Sequence, residues 1–213
     1  IRNLGQCSSC IHIQTFPACS QHVVDWQLLQ LQALGYSPAP PLPRLEISDT
    51  DKQKALEFIG QTAPGAGQLI AVHPGSGSPA KNWPADSLAE LLHQLHAELQ
   101  ANFIVLAGPA ETNLSGRFSS FPHTVLDTAA LPFVAAAISQ CRLFIGNDSG
   151  ISHLAAAAGT PTVAIFGPTD PAVWAPRGKA VRILRECEAG RWRWPGPQAV
   201  FDCCRGLLAV DKA

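Results

Sequence analysis

Two short stretches of this 213-residue chain gather residues able to do chemistry. In "HPGSGSPAKNWP" (73–84), Gly75 and Gly77 let the backbone come close to a ligand, and Ser76 and Ser78 bring hydroxyl donors. Lys81 adds a compact positive charge suited to phosphate. The competing interpretation is a plain surface loop with one lysine. In "FIGNDSGISHLAAAAGTPTVAIFGPTD" (144–170), an acid, a hydroxyl and a glycine meet where an apolar run gives way to helix-like sequence. With Asp148 as N-cap of a helix starting at Ser149, the N–H groups of Ser149, Gly150 and Ile151 stay unpaired and form an anion seat. Asp148 has the wrong sign for phosphate, but it suits sugar hydroxyls beside one. Ser149 does not sit in a G-x-S-x-G elbow and has no evident base, which argues against a nucleophile. His153, one turn on, either faces the same ligand or is a structural helix histidine. Glu111, after "LAGPA", either accepts hydrogen bonds from a ribose diol or is a first-turn acid favoured by the helix dipole.

Such residues act together only if the fold brings them to one edge. From residue 68 the chain alternates apolar runs with helix-like segments. The runs are "LIAVH", "FIVLAG" (103–108), "TVLD" (124–127), "RLFIG" (142–146), "TVAIFG" (162–167) and "VRILR" (181–185). Helices are expected between them at 86–99, 110–118, 131–139, 149–158 and 170–174. Continuous apolar strands alternating with helices predict a Rossmann-like, doubly wound parallel α/β sheet covered on both faces. Ligands of such sheets bind outside the carboxyl ends of the strands, where both stretches fall. Upstream, Val23, Trp26, Leu29, Leu31 and Leu34 sit near helical spacing within 22–34, and "YSPAPPLPRLE" is an extended linker. A short helix is expected at 49–60. The pattern divides the chain into 1–45 ending in a linker, 46–190 as a ligand-binding α/β domain, and 191–213 as a tail.

Composition narrows the function. A net charge of −1 with 15% charged residues excludes a broad basic face for nucleic acid. No apolar run approaches the roughly 20 residues of a membrane span, so a soluble protein is expected. Seven cysteines, with Cys7 and Cys10 at C-x-x-C spacing but no second ligand pair, read as reduced thiols rather than a metal site. "GSGSPA" formally matches a dinucleotide fingerprint, which keeps a nicotinamide-dependent oxidoreductase as an alternative. Against it, Pro79 sits inside the turn, and the acid expected about 20 residues on is missing. "RWRW" near the end interleaves cations and aromatics, and a helix-packing tail is favoured there over a membrane or base-stacking surface.

On "HPGSGSPAKNWP", "FIVLAGPAE" and "GNDSGISHLAAAAGTPTVAIFGPTD", the chain over about 20–185 resembles the donor-binding half of glycosyltransferase family 9, the lipopolysaccharide heptosyltransferases. The resemblance implies a GT-B architecture of two Rossmann-like domains and inverting transfer from ADP-heptose. It also implies that no metal or other cofactor is needed, with which amides, helix dipole and lysine agree as stabilisers of the departing diphosphate. It implies that Lys81 contacts the donor phosphates or heptose, Glu111 the ribose, and Asp148 sugar hydroxyls. Ser149 and Gly150 would hold the pyrophosphate, with His153 beside it and with Ser76 and Gly77 lining the same loop. The partners implied are a nucleotide-sugar donor and a lipopolysaccharide core or lipid A acceptor, with no nucleic acid. The location implied is cytoplasmic, with peripheral association at the inner membrane left open. The chain begins at Ile1 and holds no methionine, so a fragment is expected, lacking most of the acceptor domain. The resemblance implies that 1–45 is the remnant of that preceding domain with its linker. No catalytic residue is assigned, because the family's base lies in that domain. Donor binding without efficient transfer is expected; a non-catalytic nucleotide-sugar binding fragment is the remaining alternative.

Overall fold

The computed structural model describes residues 21–37, 42–62, 67–108, 121–127 and 129–210. Six parallel strands form one sheet: β1 (Leu69–His73), β2 (Asn102–Ala107), β3 (His123–Asp127), β4 (Leu143–Asn147), β5 (Thr162–Ile165) and β6 (Val181–Leu184). Their order is β3-β2-β1-β4-β5-β6. The chain therefore winds outward from β1 in one direction, returns, and winds outward from β4 in the other. The helices are α1 (Val23–Ala33), α2 (Asp49–Thr62), α3 (Ala85–Leu99), α4 (Leu131–Ser139), α5 (Gly150–Ala157), α6 (Pro171–Trp174) and α7 (Pro197–Val210). The helix expected at 110–118 lies outside the described residues. Among the described residues no helix is long and apolar enough to cross a membrane.

The apolar runs of β1, β2, β4 and β5 are continuous because both faces of these inner strands are buried, and their side chains divide by parity between two cores. Ile70, Val72, Phe103, Val105, Leu143, Ile145, Val163 and Ile165 join one core, roofed by α3 and α7. Ala71, Ile104, Leu106 and Phe144 join the other, roofed by α2, α4 and α5. Helix α3 buries Leu88, Leu91, Leu92 and Leu95, the i, i+3, i+4, i+7 stripe of an amphipathic helix. It ends at Gln100, whose left-handed backbone (φ 54) closes the last turn.

Close packing fixes one glycine of the second motif. A Cβ on Gly146 would lie 2.7 Å from the Phe144 ring of the same strand and 3.1 Å from Ser152 Oγ of α5, so any side chain there would have to displace the ring and crowd the helix.

Two parts differ from expectation. Helix α1 forms as its spacing predicts but buries none of its residues, and Leu29, Leu31 and Leu34 are exposed. It is held at its N-terminus instead: His22 caps it through Nδ1 and bonds the Ala175 carbonyl through Nε2, and Arg177 clamps Asp25 with two bonds of 2.8 and 2.6 Å. The helix-packing tail is present as α7, but "RWRW" itself lies ahead of that helix and is extended. It forms β8 (Arg191–Arg193), paired antiparallel with β7 (Glu186–Glu188), across a turn with positive φ at Ala189 and Gly190. Trp194 then turns inward against the sheet, and a Cβ on Gly167 would meet its ring at 2.3 Å.

Candidate functional site

Strands β1 and β4 are the pair where the winding reverses, with His73 opposite Gly146 in register. The crevice outside their carboxyl ends is the standard ligand position of such sheets. The loop after β1 and the turn after β4 wall it.

The 74–84 loop is a folded object rather than a flexible one. The Ser76 hydroxyl is shared between the Ser78 carbonyl at 2.7 Å and Asn82 Oδ1 at 2.6 Å, and it accepts from the Ser78 amide. A single 3₁₀ turn, Pro79–Lys81, follows. Helix α3 opens only at Ala85, so the "GSGSPA" glycines do not lead into a helix N-terminus as a dinucleotide fingerprint requires. Trp83 closes the loop, its indole donating to the Pro195 carbonyl at 3.0 Å just before α7.

The turn after β4 corrects one expectation. Asp148 does not cap α5; Ser149 is the N-cap residue, extended at φ −152, ψ 161, and the helix begins at Gly150. The Asp148 carboxylate is engaged elsewhere: Oδ2 receives Lys81 Nζ at 3.0 Å and the Thr169 hydroxyl at 2.8 Å. Asp148 is 7% exposed, so a charge that deep needs those partners. The Ser149 hydroxyl does not cap either, and lies 3.2 Å from His73 Nδ1. The N-terminus of α5 is thus left uncapped by any side chain, the condition under which its amides attract an anion.

His73, Ser76, Gly77, Ser149 and Gly150 line a cavity of ≈ 320 Å³ with Leu131, Ile151 and Leu154. A second cavity of ≈ 330 Å³ shares His73, Leu131 and Ile151 and continues along the ends of β2 and β3 past Leu106, Gly108 and Leu126. Both linings are mostly apolar; the first also holds the Ser76 and Ser149 hydroxyls and the glycine backbones of Gly77 and Gly150. Four sequence candidates, Ser76, Gly77, Ser149 and Gly150, therefore meet at one cavity. Lys81 and Asp148 form an ion pair beside them. His153 lines neither cavity and is half-buried. Burial pushes its imidazole below the ordinary value, against the opposing influence of a hydrogen bond to the Trp174 backbone and of the Asp148 charge, while His22 adds to the lowering. Glu111 lies outside the described residues. Sequence reasoning passed over His73, Asn147 and Thr169. All three stand inside the quoted motifs; for the first two a polar residue closing a buried strand was the available signal. Among the described residues no three His, Cys, Asp or Glu side chains gather as a metal site would need.

Residues 10–192 match the family model of glycosyltransferase family 9 (heptosyltransferase). The chain belongs to this family. It is similar to lipopolysaccharide heptosyltransferase 2 of Salmonella typhimurium, 30% identical over 159 residues that make up 70% of this chain and 44% of that protein. It is also similar to lipopolysaccharide heptosyltransferase 1 of Pseudomonas aeruginosa, 31% identical over 157 residues, 72% of this chain and 42% of that protein. Among solved structures, the glycosyl transferase family 9 protein of Veillonella parvula superposes at a TM-score of 0.79 with 22% identity, covering 92% of this chain and 62% of that one. ADP-heptose lps heptosyltransferase II of E. coli superposes at 0.68 with 25% identity, covering 83% and 57%. The family 9 chain described here spans less than half the length of these curated relatives.

Proposed function

We propose that this chain is the donor-binding half of an inverting heptosyltransferase, seating ADP-heptose for transfer to a lipopolysaccharide core or lipid A acceptor. The observation that carries the proposal is the uncapped N-terminus of α5, opening at Ser149 and Gly150 onto a cavity closed opposite by Ser76 and Gly77. A diphosphate fits there: the first-turn amides and the Ser149 hydroxyl are its donors, and α5 directs its positive end at it. The second cavity, along the ends of β2 and β3, suits the adenine ring, and Glu111 takes the ribose in this scheme. Names of relatives agree, since one superposing structure is an ADP-heptose enzyme.

The Lys81–Asp148 pair explains how charge is handled without a metal. Asp148 offers its remaining lone pairs to sugar hydroxyls. Lys81, held 3.0 Å from Asp148, lies beside the phosphates and neutralises the charge that builds on the diphosphate as the glycosidic bond breaks. The base that takes the acceptor proton is assigned to no residue of this chain. In this scheme the protein works in the cytoplasm, at the inner membrane surface where a lipid-borne acceptor is reached.

Calorimetric titration with ADP, ADP-heptose and NAD tests the proposal. Binding of both adenine diphosphates, with NAD at least tenfold weaker, is expected. Equal or tighter NAD binding would return the oxidoreductase alternative, and no binding of ADP would remove the donor site.

A further inference from the structure

One side chain with no role so far ties both ends of the donor loop to the sheet. Asn147, the last residue of β4, is 3% exposed. Its Oδ1 accepts from the Trp83 amide at 2.9 Å, while its Nδ2 donates to the carbonyls of Pro74 at 2.7 Å and Gly75 at 3.2 Å. One amide group thus ties both ends of the 74–83 loop to the strand that delivers Asp148 and Ser149. Its own backbone is fixed too, the Ser152 hydroxyl of α5 donating to the Asn147 carbonyl at 2.5 Å. The partners settle the amide's orientation, because only oxygen can face an N–H and only the NH₂ group can face two carbonyls. Aspartate has no donor for the carbonyls, alanine has neither function, and glutamine is a methylene too long for a buried site.

We propose that Asn147 is a positioning residue that sets the distance between the two walls of the anion cavity, the Ser76–Gly77 loop and the Ser149–Gly150 helix start. Between the tied ends lie Ser76, Gly77 and Lys81, and the bonds of the Ser76 hydroxyl to Ser78 and Asn82 and of the Lys81 amide to the Ser78 carbonyl make the loop move as a unit. Release of either end lets that unit swing, so hydroxyl, backbone and lysine leave the diphosphate together. This assignment rests on the donor-binding role proposed above for its ligand, but the clamp itself is visible without a ligand.

The test compares Asn147→Asp, nearly isosteric, with Asn147→Ala. The ligand-free readout is amide hydrogen exchange at Ser76–Lys81. Both variants are expected to raise exchange there at least tenfold while the amides of β4 and the second half of α5 keep wild-type protection. The ligand readout is the dissociation constant for ADP, expected to rise at least tenfold in each variant. A cycle with Lys81→Ala separates positioning from general loosening: because Lys81 is one of the groups Asn147 places, the double variant should lose at least about threefold less ADP affinity than the product of the two single losses. Unchanged loop exchange, or losses that multiply in the double variant, would overturn the assignment. If wild-type protein fails to bind ADP, the donor proposal falls while loop exchange still decides the clamp. If Asn147→Asp does not fold, the decision passes to Asn147→Ala.

Discussion

The Lys81–Asp148 pair makes the most discriminating prediction, because the two partners are assigned to different parts of one ligand. Asp148→Asn removes the negative charge but keeps the shape and a hydrogen bond with Thr169. At 3.0 Å, unit charges in an effective dielectric of about 20 attract by roughly 5 kcal/mol before desolvation is counted. Lys81 keeps 27% of its side-chain exposure and returns to water when released, so the net loss of stability falls to about 1–2 kcal/mol. That is a drop of roughly 3–6 °C in melting temperature for a chain of this size. Binding should respond in opposite senses. ADP gains, since a carboxylate beside its phosphates is gone and Lys81 is freed; about 1–2 kcal/mol corresponds to roughly tenfold tighter binding. ADP-heptose gains this too but loses charge-assisted bonds to the sugar worth about 1.5–3 kcal/mol. The preference for ADP-heptose over ADP therefore falls about tenfold or more. Calorimetric titration of the variant with each ligand reads both numbers. Weakening of both ligands by the same factor would refute the division of labour between Asp148 and Lys81.

Three further outcomes follow from the packing. Gly167→Ala would push a methyl into the Trp194 ring, where a Cβ lies 2.3 Å from the nearest carbon, and should cost about 1–3 kcal/mol by denaturant titration; an unchanged midpoint would mean the ring yields freely. Thiol reagents at pH 8 should modify exposed Cys187 rapidly, while buried Cys141, pushed up to about 12, and buried Cys204, also raised, react only on unfolding; mass spectrometry of labelled peptides checks this. His153 is held below its ordinary value chiefly by burial, so between the two values the unfolded chain binds more protons and stability rises with pH. Stability should therefore decline as pH falls through about 6.5 and below, and His153→Gln should flatten that decline in denaturation curves at pH 5 and 8.

The sheet was legible because its four inner strands are buried on both faces, which writes them as unbroken apolar runs, and because six of the described helices, α1 to α6, carry turn or periodicity signals. Ser76, Gly77, Ser149 and Gly150 were legible for a related reason: residues at strand ends converge by topology alone. Pairings across the chain were not. Lys81 and Asp148 are 67 residues apart, and nothing local tells an aspartate that caps its own helix from one that turns aside to meet a lysine. Asn147 was hidden because its partners are backbone groups, which leave no mark on sequence. The hairpin at 186–193 escaped because its strands are three residues each, too short for alternation to stand out from a helical pattern. Leu29, Leu31 and Leu34 misled in the other direction: helical spacing predicted the helix, but not that those side chains would stay exposed.

Trp83 has two N–H groups and spends them in different places, the backbone one on Asn147 and the indole on Pro195. It is a rivet joining the ligand loop to the entrance of α7, whose Val200, Phe201 and Cys204 lie in the same core. The far end of the chain and the phosphate-facing loop therefore share one mechanical fate. Shortening the protein before Pro197 would strip the roof from half the sheet and slacken the loop in the same stroke, so lost donor affinity after such trimming would report on this brace, not on a missing contact.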